Sequence, residues 1–128
     1  MLRFFYVAFG GALGALFRYA LSGWICRYSS GVFPWGTLAV NLIGSVIIGF
    51  LWGVFEVSVV SQNLRALLFM GILGSFTTFS TFSLESFSLL RDGEYGFLFW
   101  NIALSVVFGI CLVFVGYFSA RYVINILR

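Results

Sequence analysis

Long apolar stretches separated by short polar segments dominate the pattern of the chain. Four of them lie at about residues 4–23, 35–55, 66–90 and 97–120. Each is long enough to cross a bilayer as a helix, since a crossing needs roughly 20 apolar residues. The four stretches use most of the chain, which predicts a single domain over residues 1–128 and an all-α membrane protein with four transmembrane helices.

The first stretch has a second possible interpretation, as a cleaved signal peptide. Arg18 lies near its far end, however, and three more apolar stretches follow. Both features favour a transmembrane helix, because a signal peptide carries its positive charge before the apolar run. Arg18 itself either extends to the membrane surface or attracts anions to the mouth of a pore.

The second and fourth stretches each carry a thin line of polar side chains. Thr37, Asn41 and Ser45 follow at intervals of four and share one helical face. Asn101 and Ser105 repeat this spacing in the fourth stretch. Asn41 needs a hydrogen-bond partner inside a membrane, so it either bonds a neighbouring helix or offers its amide to a passing ligand. Asn101 has a simpler explanation as a cap at the start of its helix.

The third stretch contains the segment GSFTTFSTFSLES at residues 74–86, in which hydroxyls alternate with phenylalanines. Gly71, Gly74 and the clustered Ser and Thr residues are poor helix formers, which predicts a break near residues 74–78. Membranes tolerate such a break where protein or water replaces lipid. The break frees backbone carbonyls, which are ligands for a cation such as Na⁺.

Phe79 and Phe82 follow the break and project from one face of the helix. Core packing is the usual role of such a pair, but the same face carries hydroxyls, and the edge of an aromatic ring is partly positive. Ring edges, amides and hydroxyls together predict a weakly polar sleeve for a small anion or a small polar solute. Without a full positive charge, the sleeve can release the ion, as conduction requires.

The composition supports a lipid environment and excludes several classes of function. The chain is 62% hydrophobic and 9% charged, whereas soluble domains have about 25% charged residues. It has no histidine, and its two cysteines are Cys26, expected in the first loop, and Cys111, expected in the middle of the fourth stretch. Free thiols and no zinc site are therefore expected. The arginines are scattered rather than gathered in a basic stripe, which does not indicate nucleic-acid binding.

The arginines also give the chain almost no preference for one orientation in the membrane. Positive residues usually mark the cytoplasmic side, and with four helices both termini and the middle loop share one side. This near-balance is compatible with one orientation, and equally with insertion both ways and pairing of two antiparallel copies. One side has Arg3, Arg65, Arg121 and Arg128; the other has Arg27 and Arg91, joined by Arg18 if it extends outward.

Three segments resemble the Fluc family of fluoride channels, also called camphor-resistance or chromosome-condensation proteins. They are GGALGALFRY at 10–19, WGTLAVNLIGS at 35–45 and GILGSFTTFSTFSLE at 71–85, and with the four-helix layout they cover essentially the whole chain. The resemblance implies a multi-pass protein of the bacterial inner membrane that is not an enzyme. It implies an antiparallel, dual-topology homodimer with two pores that exports F⁻ passively and so reduces fluoride toxicity.

The resemblance also implies roles for individual residues. The backbone carbonyls of Gly74 and Thr77 would hold a structural Na⁺ on the two-fold axis of the dimer. Asn41 would be the pore amide. In the fourth helix, Gly109 stands where the family has a third hydroxyl. The line of polar side chains on that helix is therefore shorter here, or another side chain such as Thr37 supplies the missing hydroxyl. The implied ion pathway comprises Arg18 near the entrance, Thr37, Asn41, the ring pair Phe79 and Phe82, Thr81, Glu85 and Ser105.

Two other functions remain alternatives for a short four-helix membrane protein. A proton-coupled small multidrug exporter needs a carboxylate in its first helix, where this chain has only Arg3 and Arg18 as charged residues. A structural membrane subunit would use Asn41 and the hydroxyls only to hold helices together. A fluoride channel needs no energy source, because a negative interior drives an anion outward with about 2.3 kcal/mol per charge per 100 mV.

Overall fold

The computed structural model describes residues 1–127 and consists of helices joined by short turns. Four helical crossings are long and apolar enough to span a membrane, which confirms the four predicted transmembrane helices. Arg128, which entered the charge count above, lies outside the described residues. The first, second and fourth crossings are α1 (Leu2–Tyr28), α2 (Trp35–Val57) and α5 (Tyr95–Leu127). The third crossing, Gln62–Arg91, is divided into α3 at 62–76 and α4 (Phe79–Arg91).

The end of α1 differs from the expectation. The helix continues to Tyr28, so Cys26 lies in its last turn, and its assignment to a loop was wrong. The apolar stretch ends before the helix does. In the last turns of α1 the rings of Trp24 and Tyr28 pack edge to face, with their centroids 5.6 Å apart. Such aromatic pairs are typical of the membrane surface. Cys26 and Cys111 are both free thiols, as expected.

Glycines bring the helices together in two pairs, α1 with α3 and α2 with α5. A Cβ on Gly10 of α1 would lie 2.6 Å from the carbonyl oxygen of Leu67 in α3. A Cβ on Gly49 of α2 would overlap the Val113 carbonyl of α5. Small residues at such crossings allow the close backbone contact on which helix association in lipid depends. α2 also packs against α1 and α3, and so joins the two pairs.

Two segments of wider, π-helical geometry were not foreseen. Ala66–Leu73 forms the middle of α3, between the α-helical turns Gln62–Arg65 and Gly74–Phe76. Leu104–Phe108 interrupts α5 in the same way. Residue spacing in an apolar run does not distinguish this geometry from an ordinary helix, and such turns are frequent at functional sites. Each one lies next to the cavity described below.

Candidate functional site

The third crossing is broken at Thr77 and Thr78, which confirms the predicted interruption. Both residues have extended backbones, with φ/ψ of −80°/154° for Thr77 and −147°/118° for Thr78. Thr78 then begins α4 as its N-cap, since its Oγ1 accepts a hydrogen bond from the Thr81 N–H at 3.2 Å. Hydroxyl residues are favoured at this position because they satisfy an N–H that has no helical partner.

Asn41 of α2 forms two hydrogen bonds with the backbone of Thr78 at the break. Its Oδ1 accepts from the Thr78 N–H at 2.9 Å, and its Nδ2 donates to the Thr78 carbonyl at 3.2 Å. The bond between helices, one of the two roles considered for Asn41, is therefore present. The Nδ2 carries a second hydrogen, so the amide keeps one donor beyond these two bonds.

Two carbonyls at the break lose their usual helical donors. In a continuous helix, Gly74 O would accept from the Thr78 N–H and Thr77 O from the Thr81 N–H. These two N–H groups donate instead to Asn41 Oδ1 and Thr78 Oγ1. The carbonyls of Gly74 and Thr77 are the ones that the resemblance assigns to Na⁺. Freed carbonyl oxygens suit a hard cation, so the donor set fits such an ion.

One cavity of about 370 Å³, here called the central cavity, is lined by four of the eight candidate pathway residues: Asn41, Phe79, Phe82 and Ser105. The rings of Phe79 and Phe82 lie there with centroids 5.8 Å apart and planes tilted by 45°. Ser105 Oγ is shielded from solvent and has no hydrogen-bond partner among the described residues. The residues that line the central cavity carry no charge: Asn41, Gly44, Ser45, Ile48, Phe69, Leu73, Gly74, Thr77, Thr78, Phe79, Phe82, Ser105 and Val106.

A second cavity of about 390 Å³, here called the Arg18 cavity, contains further candidates. Arg18, Thr37 and Thr81 line it together with Thr78. Thr78 lines both cavities and therefore lies between them. The sequence pattern gave Thr78 no role of its own. The preference for a hydroxyl as the first residue after a helix break would have identified it as the cap of α4.

Glu85 reaches the start of α2 rather than the central cavity. Its Oε1 accepts a hydrogen bond of 2.6 Å from the buried Thr37 hydroxyl. Its Oε2 is shielded and has no partner among residues 1–127. Thr37 thereby joins Glu85 to the Arg18 cavity, and the structure brings these two predicted pathway residues into direct contact.

Asn101 does not cap its helix, so that explanation was wrong. α5 begins at Tyr95 and is preceded by Glu94, which leaves Asn101 in the helix interior with an exposed fraction of 1%. Its Nδ2 donates to Ser86 Oγ of α4 at 3.0 Å. A polar side chain buried in a membrane bundle needs such a partner. Asn101 therefore ties α5 to α4, while Ser105, one turn later, reaches the central cavity.

Comparisons with known proteins agree over nearly the whole chain. Residues 5–117 match the profile of the family described as CrcB-like protein, Camphor Resistance (CrcB). The chain is 40% identical over 128 residues to the fluoride-specific ion channel FluC of Parabacteroides distasonis, covering 100% of both sequences. It is 42% identical over 123 residues to FluC of Opitutus terrae, covering 94% of this chain and 93% of the relative. It is 50% identical over 107 residues to FluC of a Sulfurovum species, covering 84% of this chain and 82% of the relative.

Proposed function

The chain belongs to the CrcB family, and from this membership we propose that it is a fluoride-selective channel through which F⁻ leaves the cell passively. It is a multi-pass protein of the bacterial inner membrane and not an enzyme. The observation that carries the proposal is the central cavity, in which neutral hydrogen-bond donors and aromatic rings meet without a fixed charge. Such a site holds an anion weakly enough to pass it on.

The groups in the central cavity supply what a small, strongly hydrated anion loses on leaving water. The second hydrogen of Asn41 Nδ2 and the hydroxyl of Ser105, which has no partner among the described residues, are available donors. The edges of Phe79 and Phe82 add partial positive charge. A larger anion is bound less well, since it gains less from a few strong donors and needs more room between the rings.

Arg18 and the hydroxyls of the second cavity extend this pathway. The guanidinium of Arg18 raises the local concentration of anions at the entrance. Thr81 and Thr37 line the same cavity, and Thr78 connects it with the central cavity. The Thr37 hydroxyl holds the Glu85 carboxylate at 2.6 Å, which keeps that negative charge beside the pathway.

A second, antiparallel copy of the chain would complete the pores. Phe79 has an exposed fraction of 80%, and Ser80 beside it is also exposed. A hydroxyl facing lipid is unfavourable, so a protein surface is a better neighbour for this face. The near-balance of arginines between the two sides agrees with insertion in both orientations.

The same arrangement gives the freed carbonyls a role. Gly74 and Thr77 offer two oxygens from each chain, and two antiparallel copies would place four around one Na⁺ on the two-fold axis. Bound there, the ion would supply positive charge that holds the two helix breaks together. It would be structural, since conduction of F⁻ requires no chemistry from it.

Labelling of Cys26 tests the dual topology. The thiol is exposed at the end of α1, so a Cys111→Ser variant leaves one reactive cysteine near the membrane surface. A membrane-impermeant maleimide applied to intact spheroplasts should label about half of the Cys26 thiols, and permeabilised spheroplasts should show the remainder. Complete labelling or complete protection in intact spheroplasts would establish a single orientation and contradict the antiparallel dimer.

Ion flux from proteoliposomes tests the function and separates the alternatives. With a potassium gradient and valinomycin, the purified chain should release F⁻ much faster than Cl⁻, with no dependence on a proton gradient. A multidrug exporter would require the proton gradient and would transport organic cations. A structural subunit would release neither anion, and either of these results would refute the channel.

A further inference from the structure

We infer that Gly44 is a positioning residue that sets the place of the helix break, and with it the carbonyls of Thr77 and Gly74. The inference deepens the proposed function and rests on it. Gly44 lies three residues after Asn41 on α2, so the two face the same neighbour. Asn41 holds the backbone of Thr78, and Gly44 receives the side chain of Thr77. One face of α2 thus fixes both residues of the break.

The space at Gly44 is filled by Thr77. A Cβ on Gly44 would overlap the Thr77 Cγ2 methyl group and would lie 3.4 Å from Phe76 Cδ1. Gly44 and Phe76 are buried, whereas Thr77 also borders the central cavity, so Thr77 is the group that has room to shift. Because the overlap is with a side chain of the broken segment, its relief requires the segment or the side chain to shift.

The Thr77 side chain is held in its orientation by its own hydroxyl. Thr77 Oγ1 donates to the Leu73 carbonyl at 2.9 Å, and the Thr77 N–H donates to the same oxygen at 3.0 Å. Rotation about χ1 would break the hydroxyl bond inside the membrane, where an unpaired donor is costly. The easier response to an added methyl group on Gly44 is therefore a displacement of the Thr77 backbone, which moves its carbonyl.

Two other glycines of α2, Gly49 and Gly53, have different neighbours. A Cβ on Gly53 would lie 2.9 Å from Ala120 Cβ and 3.0 Å from the Tyr117 carbonyl, both in α5. A Cβ on Gly49 would overlap the Val113 carbonyl, also in α5. These glycines pack α2 against α5, whereas Gly44 packs α2 against the break. Gly53→Ala is therefore the control, with the same substitution on the same helix at a close contact with α5 instead of the break.

A double-mutant cycle tests the inference through fluoride efflux from proteoliposomes. The Gly44→Ala substitution should lower the efflux rate, because the methyl group forced into this packed site displaces the backbone at the break. Thr77→Ser removes Cγ2 but keeps the hydroxyl that bonds Leu73. In the Thr77→Ser background, Gly44→Ala should therefore cost much less than in the wild type, which is a coupling between the two sites.

The control and the coupling separate positioning from general packing. Gly53→Ala should change efflux by the same factor in the wild-type and Thr77→Ser backgrounds. Equal losses from Gly44→Ala in both backgrounds would overturn the inference, because Gly44 would then act through helix packing alone. A wild-type chain that releases no F⁻ would instead refute the proposed function, so the two failures are distinguishable.

The melting temperature of the purified protein in detergent gives a readout independent of flux. Na⁺ that binds the folded protein raises the melting temperature relative to N-methylglucamine. We expect Gly44→Ala to shrink this Na⁺-dependent rise and Thr77→Ser to restore part of it in the double variant. Gly53→Ala should lower the melting temperature in both salts and keep the rise. A full Na⁺-dependent rise in Gly44→Ala would contradict the positioning role.

Discussion

Asn41 and Thr78 form a closed pair of hydrogen bonds, with the side-chain amide of one bonded to both backbone groups of the other. The distances are 2.9 Å from the Thr78 N–H to Asn41 Oδ1 and 3.2 Å from Asn41 Nδ2 to the Thr78 carbonyl. The first bond gives the Thr78 N–H an acceptor in place of the Gly74 carbonyl, which loses its helical donor at the break. It also places an amide donor at the wall of the central cavity, so one side chain serves both the fold and the proposed pathway.

Asn41→Asp should abolish fluoride conduction. The carboxylate still accepts from the Thr78 N–H but faces the Thr78 carbonyl without a hydrogen to donate. It also places a negative charge in a cavity lined by uncharged residues, which repels the anion. Efflux measured with a fluoride electrode should fall to the level of empty liposomes. Asn125→Asp, at an exposed position near the end of α5, should conduct normally; unchanged efflux in Asn41→Asp would remove Asn41 from the pathway.

Phe79→Ile and Phe82→Ile should each lower fluoride efflux and leave a folded protein. Isoleucine keeps much of the side-chain volume but has no ring edge to face an anion. The control is Phe114→Ile, since Phe114 lies on α5 with an exposed fraction of 57% and outside the central cavity. Size-exclusion profiles should match the wild type for all three variants. If both Phe79 and Phe82 variants conduct at the wild-type rate, the rings act only in packing.

Ser105→Ala should lower fluoride efflux without lowering stability. The Ser105 hydroxyl is shielded and has no partner among the described residues, so removing it breaks no hydrogen bond within that part of the chain. Replacing such a group by an apolar one is close to neutral for folding. Ser119→Ala, which removes an exposed hydroxyl bonded within its own helix, should leave efflux intact. Normal efflux in Ser105→Ala, or a drop in its melting temperature, would mean that Ser105 serves the fold instead.

Thr37→Val should weaken both stability and conduction. Valine has nearly the same shape but leaves Glu85 Oε1 without the 2.6 Å bond from the hydroxyl. Losing a hydrogen bond to a shielded charged group costs about 1.5–3 kcal/mol, so the melting temperature should fall. The fall should be smaller in a Glu85→Gln background, where the acceptor carries no charge. An equal fall in both backgrounds would show that the Thr37–Glu85 bond contributes nothing specific.

Much of the architecture could be predicted from the sequence because lipid simplifies the problem. The length of the apolar stretches alone predicts the four crossings. The poor helix formers around Gly74 predict the break near Thr77. The hydroxyls and ring edges of the third crossing, which share one helical face, indicate a weakly polar site for a small anion or a small polar solute. The resemblance implies the roles of individual residues, and the variants of Asn41, Phe79, Phe82, Ser105 and Thr37 test them.

The remaining features depend on contacts between helices, which no local pattern contains. Asn101 follows a capping pattern in the sequence, yet it bonds Ser86 in the helix interior because α5 begins at Tyr95, six residues before Asn101. Cys26 lies in a helix because α1 continues to Tyr28, whose ring packs edge to face on Trp24 one turn earlier. The π-helical segments and the contact of Gly44 with Thr77 likewise become visible only in three dimensions.

The reversal potential of the purified channel tests most directly whether neutral donors and ring edges select a small anion. A planar lipid bilayer would separate NaF on one side from an equal concentration of NaCl on the other. If the central cavity selects F⁻, the reversal potential should lie far from zero and approach the value for a membrane that is permeable to F⁻ alone. Reversal near zero would mean that Cl⁻ passes equally well, and it would contradict fluoride selectivity.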